Sequence, residues 1–128
     1  MKQSHVLQLA CEPLPIVRIG FIGLGNRGMA TLRRYLVIDG VEIVALCDIH
    51  RAHLDEASAV IAADGKYTPC LLNAQDGWKQ MCQRDDIDLI YICTDWLTHA
   101  PMACYAMEQG KHVAIEVPAA TTVEECWQ

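Results

Sequence analysis

The chain has 128 residues, of which 52% are hydrophobic and 20% charged, and its formal net charge at pH 7 is −6. This composition is typical of one packed globular domain and excludes a disordered or fibrous chain. The acidic balance argues against a nucleic-acid partner, because that affinity rests on clustered lysine and arginine. No apolar run approaches the roughly 20 residues of a transmembrane helix, and no signal peptide is evident, so neither membrane insertion nor export is expected.

Seven cysteines are spread along the chain, and none forms a C-x-x-C pair. Because an odd number cannot be fully paired within one chain, we expect neither a disulfide scaffold nor a structural metal site. Cys47 and Cys93 lie in apolar runs, where cysteine behaves as a small hydrophobic residue. Reduced thiols and a cytoplasmic location follow as expectations.

The first third of the chain predicts a β-α-β unit. Residues 16–22 form a β-rich apolar run that ends at glycines, and we predict a first strand there. Residues 26–38 show near-helical apolar spacing and are followed by Gly40, which predicts a helix and its stop. The apolar positions of that helix are Met29, Leu32, Leu36 and Val37. Residues 41–47 are apolar almost throughout, as in a strand covered on both faces.

The rest of the chain continues the alternation of helices and strands. The predicted elements are a helix at about 50–63, a short extended piece within 66–72, a helix at 78–84, a strand at 88–94, a helix at 98–109 and a strand at 112–117. Thr121 or Thr122 is placed to cap a last helix, with Glu124 and Glu125 in its first turn. We predict the α/β class, with a doubly wound parallel Rossmann sheet and helices on both faces.

A glycine motif lies where the first strand meets the first helix. Gly23, Gly25 and Gly28 match G-x-G-x-x-G. In this motif the first glycine permits a tight turn, the second lets the backbone approach a pyrophosphate, and the third allows close packing of helix and strand. Asn26 and Arg27 open the helix whose N-terminus attracts phosphate. A glycine-rich turn without a ligand is the alternative interpretation.

Asp48 ends the second strand, twenty positions after Gly28 (48 − 28). A carboxylate there can accept hydrogen bonds from an adenosine ribose and would repel a 2′-phosphate, so we predict NAD in preference to NADP. Arg51 would partly offset that repulsion, although an exposed helix face is the simpler interpretation of it. We therefore assign residues 1–15 to an N-terminal tail and residues 16–128 to an NAD(P)-binding Rossmann domain, truncated before any substrate domain.

Further cofactor contacts are predicted after the later strands, because ligands of open α/β sheets collect at the carboxyl edge. Thr94, Trp96 and His99 follow the strand at 88–94, and Glu116 and Pro118 end the strand at 112–117. The alternatives are a tryptophan that covers the core, a histidine that bonds at a helix start, and a salt-bridged glutamate at the rim. We predict no catalytic residue and no metal ligand, and we interpret other histidines and apolar residues as surface or core. These are His5, His50, His53, Trp78, Met102, Met107 and His112.

Together these segments resemble the N-terminal domain of the Gfo/Idh/MocA oxidoreductases, from about residue 16 to residue 128. The resemblance rests on the glycine motif, Asp48, residues 94–99 and residues 110–118. Most members of that family carry Glu-Lys-Pro where this chain has Glu116-Val117-Pro118, and the lysine serves dehydrogenase chemistry. The valine therefore argues against an ordinary sugar dehydrogenase.

The Gly-Leu-Gly-Asn-Arg-Gly loop and residues 116–122 further resemble glycoside hydrolase family 109, the NAD-dependent α-N-acetylgalactosaminidases. The resemblance implies that tightly held NAD oxidises the sugar at C3, which acidifies the C2 proton and permits elimination of the aglycone. Water then adds and the hydride returns, so NAD is regenerated. In that family the acid–base histidine and tyrosines belong largely to the C-terminal domain, which implies that this chain alone is inactive.

Two other hypotheses stay open: an NAD-dependent sugar or cyclitol dehydrogenase, and a stand-alone NAD-binding module without turnover. The expected partners are the small-molecule cofactor and a sugar, with no nucleic acid and no membrane. Apolar surface that a further domain would cover also predicts weak formation of a homo-oligomer.

Overall fold

The structure is a computed structural model, and it describes residues 10–65 and 67–128. Most of the predicted tail, and Lys66 of the predicted extended piece, lie outside the described residues. The residues between position 10 and the first strand form no helix or strand.

Strands and helices alternate along the described chain. The strands are β1 (Val17–Ile22), β2 (Val41–Cys47), β3 (Cys70–Leu72), β4 (Leu89–Ile92) and β5 (His112–Ile115). The helices are α1 (Asn26–Tyr35), α2 (Arg51–Asp64), α3 (Gly77–Cys82), α4 (His99–Glu108) and α5 (Val123–Cys126). Each predicted helix and strand is present, with boundaries that differ by at most a few residues.

The five strands form one parallel sheet in the order β3-β2-β1-β4-β5. The chain therefore winds outward from β1 to β3, returns to the other side of β1 for β4, and winds outward again. That reversal is the switch point of a doubly wound sheet. The predicted Rossmann architecture is confirmed.

Helices cover both faces of the sheet, because successive side chains of a strand point to opposite sides. On one face, α1 and α2 pack against the sheet around a first buried cluster that includes Phe21, Leu32, Leu46, Leu54 and Ile61. On the other face, α3 and α4 pack around a second cluster that includes Ile22, Met81, Ile90, Ile92 and Ala106. The nearly continuous apolar strands are explained by this double coverage.

The first helix is shorter than the sequence predicts. It ends at Tyr35 rather than residue 38, since Val37 and Ile38 donate to carbonyls three residues back and the chain turns at Gly40, where φ is +78°. Val37 is consequently 80% exposed and is not part of the core. The last strand likewise stops at Ile115, before the predicted residue 117.

No helix within the described ranges is long and apolar enough to cross a membrane. The seven cysteines, all of them described, are free. Burial raises the pKa of Cys47 to about 12 and that of Cys82 to about 11. Both thiols are therefore protonated at neutral pH and behave as packing groups rather than nucleophiles.

Candidate functional site

The carboxyl ends of all five strands meet at one edge of the sheet, because the strands are parallel. The sequence-predicted residues follow directly at this edge: Gly23 after β1, Asp48 after β2, Thr94 after β4 and Glu116 after β5. Gly23 and Thr94 flank the switch point between β1 and β4. This is where open α/β sheets bind their ligands.

The three glycines of the loop have three different surroundings. Gly23 has a φ of +91°, and a Cβ on it would lie 2.1 Å from the carbonyl oxygen of Cys93, so only glycine fits this turn. A Cβ on Gly28 would lie 2.2 Å from the carbonyl oxygen of Gly23, which requires glycine for the close approach of α1 to the loop. At Gly25 a Cβ would meet nothing within 4 Å. The backbone is therefore open to a ligand at Gly25.

The N-terminus of α1 faces this opening. Gly25 is its N-cap, and within the described part of the chain no side chain caps the helix. Where no side chain caps a helix, the backbone N–H groups of its first turn can donate hydrogen bonds to a bound anion. Asn26 and Arg27 begin the helix, and the Arg27 side chain is largely exposed.

Asp48 is buried beside the loop and is held by backbone amides. Its Oδ2 accepts from the N–H of Leu24 at 2.8 Å, and its Oδ1 accepts from the N–H of His50 at 2.8 Å. Burial alone would raise the pKa of Asp48, but these hydrogen bonds, together with His53, outweigh it and lower the pKa below its ordinary value. The carboxylate is thus ionised at neutral pH.

Two histidines that the sequence analysis interpreted as surface or core contact this carboxylate. The Nδ1 atom of His53 lies 3.0 Å from Oδ2 of Asp48, and Nδ1 of His50 lies 3.3 Å from Oδ1. The signal in the sequence was the spacing Asp-x-His-x-x-His, in which residues three apart at a helix start share a face. Arg51, in contrast, pairs with Asp55 on the exposed side of α2, with Nε 2.8 Å from Oδ1.

A cavity of about 410 Å3 opens beside Asp48, a volume suited to part of a small ligand. Its lining is mostly apolar. The lining includes Trp78 and Met102, which the sequence analysis interpreted as surface or core, and four residues that it did not name, Ile49, Ala74, Gln75 and Pro101. Trp78 belongs to α3 and Met102 to α4, whereas the predicted cofactor residues lie at or just after the strand ends. No local pattern connects them, because tertiary packing brings them together.

Thr94 and His99 lie close to each other in the fold but in different surroundings. Thr94 lines the cavity, and its Oγ1 is 2.7 Å from that of Thr98. His99 is buried, and its Nδ1 donates to the carbonyl oxygen of Pro118 at 2.9 Å. Among the described residues, its Nε2 has no hydrogen-bond partner. Trp96 is 67% exposed and does not contribute to the described lining of the cavity.

Glu116 contacts residues on the side of the sheet edge where the glycine loop lies. Its Oε1 accepts from the hydroxyl of Tyr91 at 2.6 Å, and its Oε2 lies 3.7 Å from Nε of Arg27. The Tyr91 hydroxyl is also 3.0 Å from Oγ1 of Thr31. Burial and the Glu116 carboxylate raise the pKa of Tyr91, so it stays a proton donor. The peptide bond between Val117 and Pro118 is cis.

A model of the Gfo/Idh/MocA oxidoreductases, described as an NAD-binding Rossmann fold, matches residues 17–128. The chain belongs to this family. The family, the fold and the NAD cofactor predicted from the sequence are confirmed.

Similar proteins fall into two groups. An alpha-N-acetylgalactosaminidase of Bacteroides fragilis is 64% identical over 126 residues, which cover 98% of this chain and 30% of that protein. A glycosyl hydrolase family 109 protein of Phocaeicola vulgatus is 48% identical over 128 residues, covering 100% of this chain and 31% of its own length. The 128-residue chain thus spans about 30% of the length of these relatives.

Among solved structures, myo-inositol dehydrogenase from Lactobacillus casei, in complex with NAD(H) and myo-inositol, superposes with a TM-score of 0.77 at 26% identity. The match covers 88% of this chain and 31% of that one. The myo-inositol 2-dehydrogenase of Lactobacillus plantarum has a TM-score of 0.74 at 28% identity, covering 86% and 30% of the two chains. The domain is therefore close to glycosidases in sequence and to dehydrogenases in fold.

Proposed function

We propose that residues 16–128 bind NAD along the carboxyl edge of the sheet, with Asp48 as the residue that selects NAD. The observation that carries the proposal is the ionised, amide-held carboxylate of Asp48 next to a loop whose Gly25 leaves the backbone open. A ribose diol donates to such a carboxylate, whereas a 2′-phosphate is repelled by it.

Each half of the cofactor has its own group of residues in this proposal. The pyrophosphate lies over Gly25 at the start of α1, beside Asn26 and Arg27, while Gly23 and Gly28 keep the loop in shape. Adenine occupies the apolar cavity that contains Trp78 and Met102. The nicotinamide half lies toward the ends of β4 and β5, near the residues Trp96, His99, Glu116 and Pro118, while Thr94 lines the adenine cavity.

The test is a calorimetric titration of the chain with NAD and, separately, with NADP. We expect NAD to bind more tightly, and Asp48→Asn to weaken NAD binding at least about tenfold, since a charge-assisted hydrogen bond is worth roughly 1.5–3 kcal/mol. The same substitution removes the repulsion of the 2′-phosphate, so the ratio of the two affinities approaches one. Glu56→Gln, on the exposed side of α2 and paired with Arg33, is the matched control and leaves both affinities unchanged.

Near-ultraviolet circular dichroism of each variant establishes that it is folded. Equal binding of NAD and NADP by the unmodified chain would contradict the role of Asp48. A folded Asp48→Asn variant that binds NAD as tightly as the original chain would contradict it as well.

We also propose that the longer protein is a glycosidase of the family 109 type that acts on α-N-acetylgalactosaminides. The support is the 64% identity to the Bacteroides fragilis relative and the valine at position 117 where dehydrogenases of the family carry lysine. Bound NAD would accept a hydride from the sugar and return it within one cycle. The chain by itself is proposed to be inactive, with its catalytic groups supplied by the remainder of the longer protein.

The second candidate is a sugar or cyclitol dehydrogenase, which the likeness to two inositol dehydrogenases favours. The two activities differ in what accumulates when the longer protein is given a chromogenic α-N-acetylgalactosaminide and NAD. A glycosidase releases the chromophore without net NADH, whereas a dehydrogenase produces NADH in proportion to product. The absence of both signals, also when myo-inositol replaces the galactosaminide, would leave the third candidate, an NAD-binding module without turnover.

We further propose a reducing, cytoplasmic location and weak self-association of the chain. The seven free cysteines support the first. Apolar side chains near the end of the chain support the second, since Val117, Val123 and Trp127 are 77%, 69% and 86% exposed. Sedimentation equilibrium over a range of protein concentrations tests for the oligomer.

A further inference from the structure

Asp48, His50 and His53 form a cluster of three groups that are each able to coordinate a metal ion. One donor atom from each residue lies within 4.8 Å of the other two. Nδ1 of His53 lies 3.0 Å from Oδ2 of Asp48, and Nδ1 of His50 lies 3.3 Å from the other carboxylate oxygen, Oδ1. In a tetrahedral zinc site with bonds of about 2.0–2.1 Å, neighbouring donor atoms are about 3.3 Å apart. The cluster is thus close to the size of such a site.

The carboxylate is already prepared as a ligand. The backbone N–H groups of Leu24 and His50 donate to the carboxylate oxygens. These bonds fix the orientation of the carboxylate, as hydrogen bonds to the ligands do in metal sites. Asn73, after β3, donates to the carbonyl oxygens of Asp48 and Ile49 and fixes the backbone of the turn. The carboxylate and the turn that carries it are therefore held in place by the protein itself.

The site is open to an entering ion. The His50 side chain is 66% exposed and that of His53 is 39% exposed, while Asp48 and His50 both line the cavity. Arg51, which precedes His53 on α2, is paired with Asp55 and brings no uncompensated positive charge. Two imidazoles and one carboxylate favour zinc and similar transition-metal ions over magnesium or calcium, which take oxygen ligands.

We propose that Asp48, His50 and His53 bind a zinc-type divalent ion, with water as fourth ligand, and that this ion and NAD exclude each other. The exclusion rests on the proposed function, in which the adenosine ribose needs the same Asp48 carboxylate. Metal availability would then regulate how much of the protein holds its cofactor.

Metal binding is tested first, without NAD, by titrating the metal-free chain with Co2+ and recording the absorption spectrum. We expect visible d–d bands of a nitrogen–oxygen site without the near-ultraviolet bands of thiolate ligands. His53→Gln weakens binding at least about tenfold, because one of three protein ligands is lost. His112→Gln is the matched control, since His112 is exposed at the start of β5 and therefore at the opposite edge of the sheet. Thiolate bands, or equal binding by His53→Gln, would overturn the site.

Exclusion is tested by titrating the chain with NAD in the presence of Zn2+, at a Zn2+ concentration ten times the Kd of the chain for Zn2+. Mutual exclusion raises the apparent Kd of NAD about elevenfold. The same concentration of Mg2+ leaves it unchanged, and the zinc effect is reduced in His53→Gln but not in His112→Gln. An unchanged Kd in the presence of bound Zn2+ would overturn the exclusion. If the metal-free chain does not bind NAD at all, the proposed function fails, while the Co2+ spectrum still decides the metal site.

Discussion

Gly23 and Gly25 lie two residues apart in one loop, yet a side chain would have opposite effects at the two positions. At Gly23 it would strike the carbonyl oxygen of Cys93 and adopt a φ of +91°, which costs energy in the folded protein itself. At Gly25 the φ is −66° and the space is empty, so alanine fits the protein but occupies the place proposed for the pyrophosphate. Stability and cofactor binding are thus separable within the same motif.

We predict that Gly23→Ala lowers the free energy of unfolding by more than about 2 kcal/mol, because it combines a steric clash with an unfavourable φ. Gly25→Ala should change it by less than about 1 kcal/mol and weaken NAD binding at least about tenfold. Urea unfolding measures the first quantity and calorimetry the second. Tight NAD binding by Gly25→Ala would show that the pyrophosphate does not lie over this residue.

At the scale of elements, Tyr91 connects its own strand to three other elements. It lies on β4, packs against Phe21 of β1, and extends its hydroxyl to Thr31 on α1 and to Glu116 just after β5. Glu116 in turn approaches Arg27 at the start of α1. The glycine loop and the end of β5, which are proposed to hold different halves of NAD, are therefore connected through one buried phenol.

We predict that Tyr91→Phe lowers the free energy of unfolding by about 1–2 kcal/mol, the usual cost of removing a buried hydrogen-bonding group whose partners remain. NAD binding should weaken several-fold while ADP binding stays within about twofold, because Glu116 is proposed to serve the nicotinamide half. Tyr105→Phe is the control, since its hydroxyl pairs with Gln83 at an exposed site. Equal losses for ADP and NAD would instead mean that Tyr91 supports the pyrophosphate loop.

The order and type of these elements could be predicted because the local signals agree with the fold. Strands buried on both faces are continuously apolar, Gly65 and Gly110 take positive φ values where helices end, and Gly40 does so in the turn before β2. The exact ends are less well marked in the sequence, because α1 closes with hydrogen bonds to carbonyls three residues back before the chain turns at Gly40. Trp78 and Met102 were interpreted as surface or core, because only tertiary packing brings α3 and α4 to the same cavity.

The histidines beside Asp48 show a different limit. Their spacing along the chain is visible, but whether His50 and His53 face the carboxylate depends on how the chain turns between β2 and α2. Asn73, twenty-five positions after Asp48 (73 − 48), holds that turn. Asn73 lies outside the segment that runs from Asp48 to the start of α2. The local sequence therefore does not show that the two histidines face the carboxylate.

Across the whole molecule, buried and paired carboxylates connect stability to pH. The Asp88 carboxylate accepts hydrogen bonds from Nε and Nη2 of Arg18 at 3.0 and 2.8 Å. This pair joins β4 to β1 at the amino edge of the sheet and lowers the pKa of Asp88. The pKa of Asp86 is lowered by Arg84, and that of Asp48 is lowered at the carboxyl edge. Each of these groups is more acidic in the folded chain than in the unfolded chain.

A pKa that is lower in the folded state contributes stability that is complete above the unfolded value, about 3.9 for aspartate, and is lost as the pH falls through the folded value. We therefore predict that the urea midpoint is nearly constant from pH 7 to about pH 5 and decreases steeply below about pH 4. Asp88→Asn should be less stable than the original chain at pH 7 and should lose less stability between pH 5 and pH 3, because one of the titrating groups is gone. Unfolding curves at half-unit intervals of pH measure both effects. An equally steep acid loss in Asp88→Asn would mean that Asp48 and the remaining carboxylates, rather than the Arg18–Asp88 pair, control the acid stability of the fold.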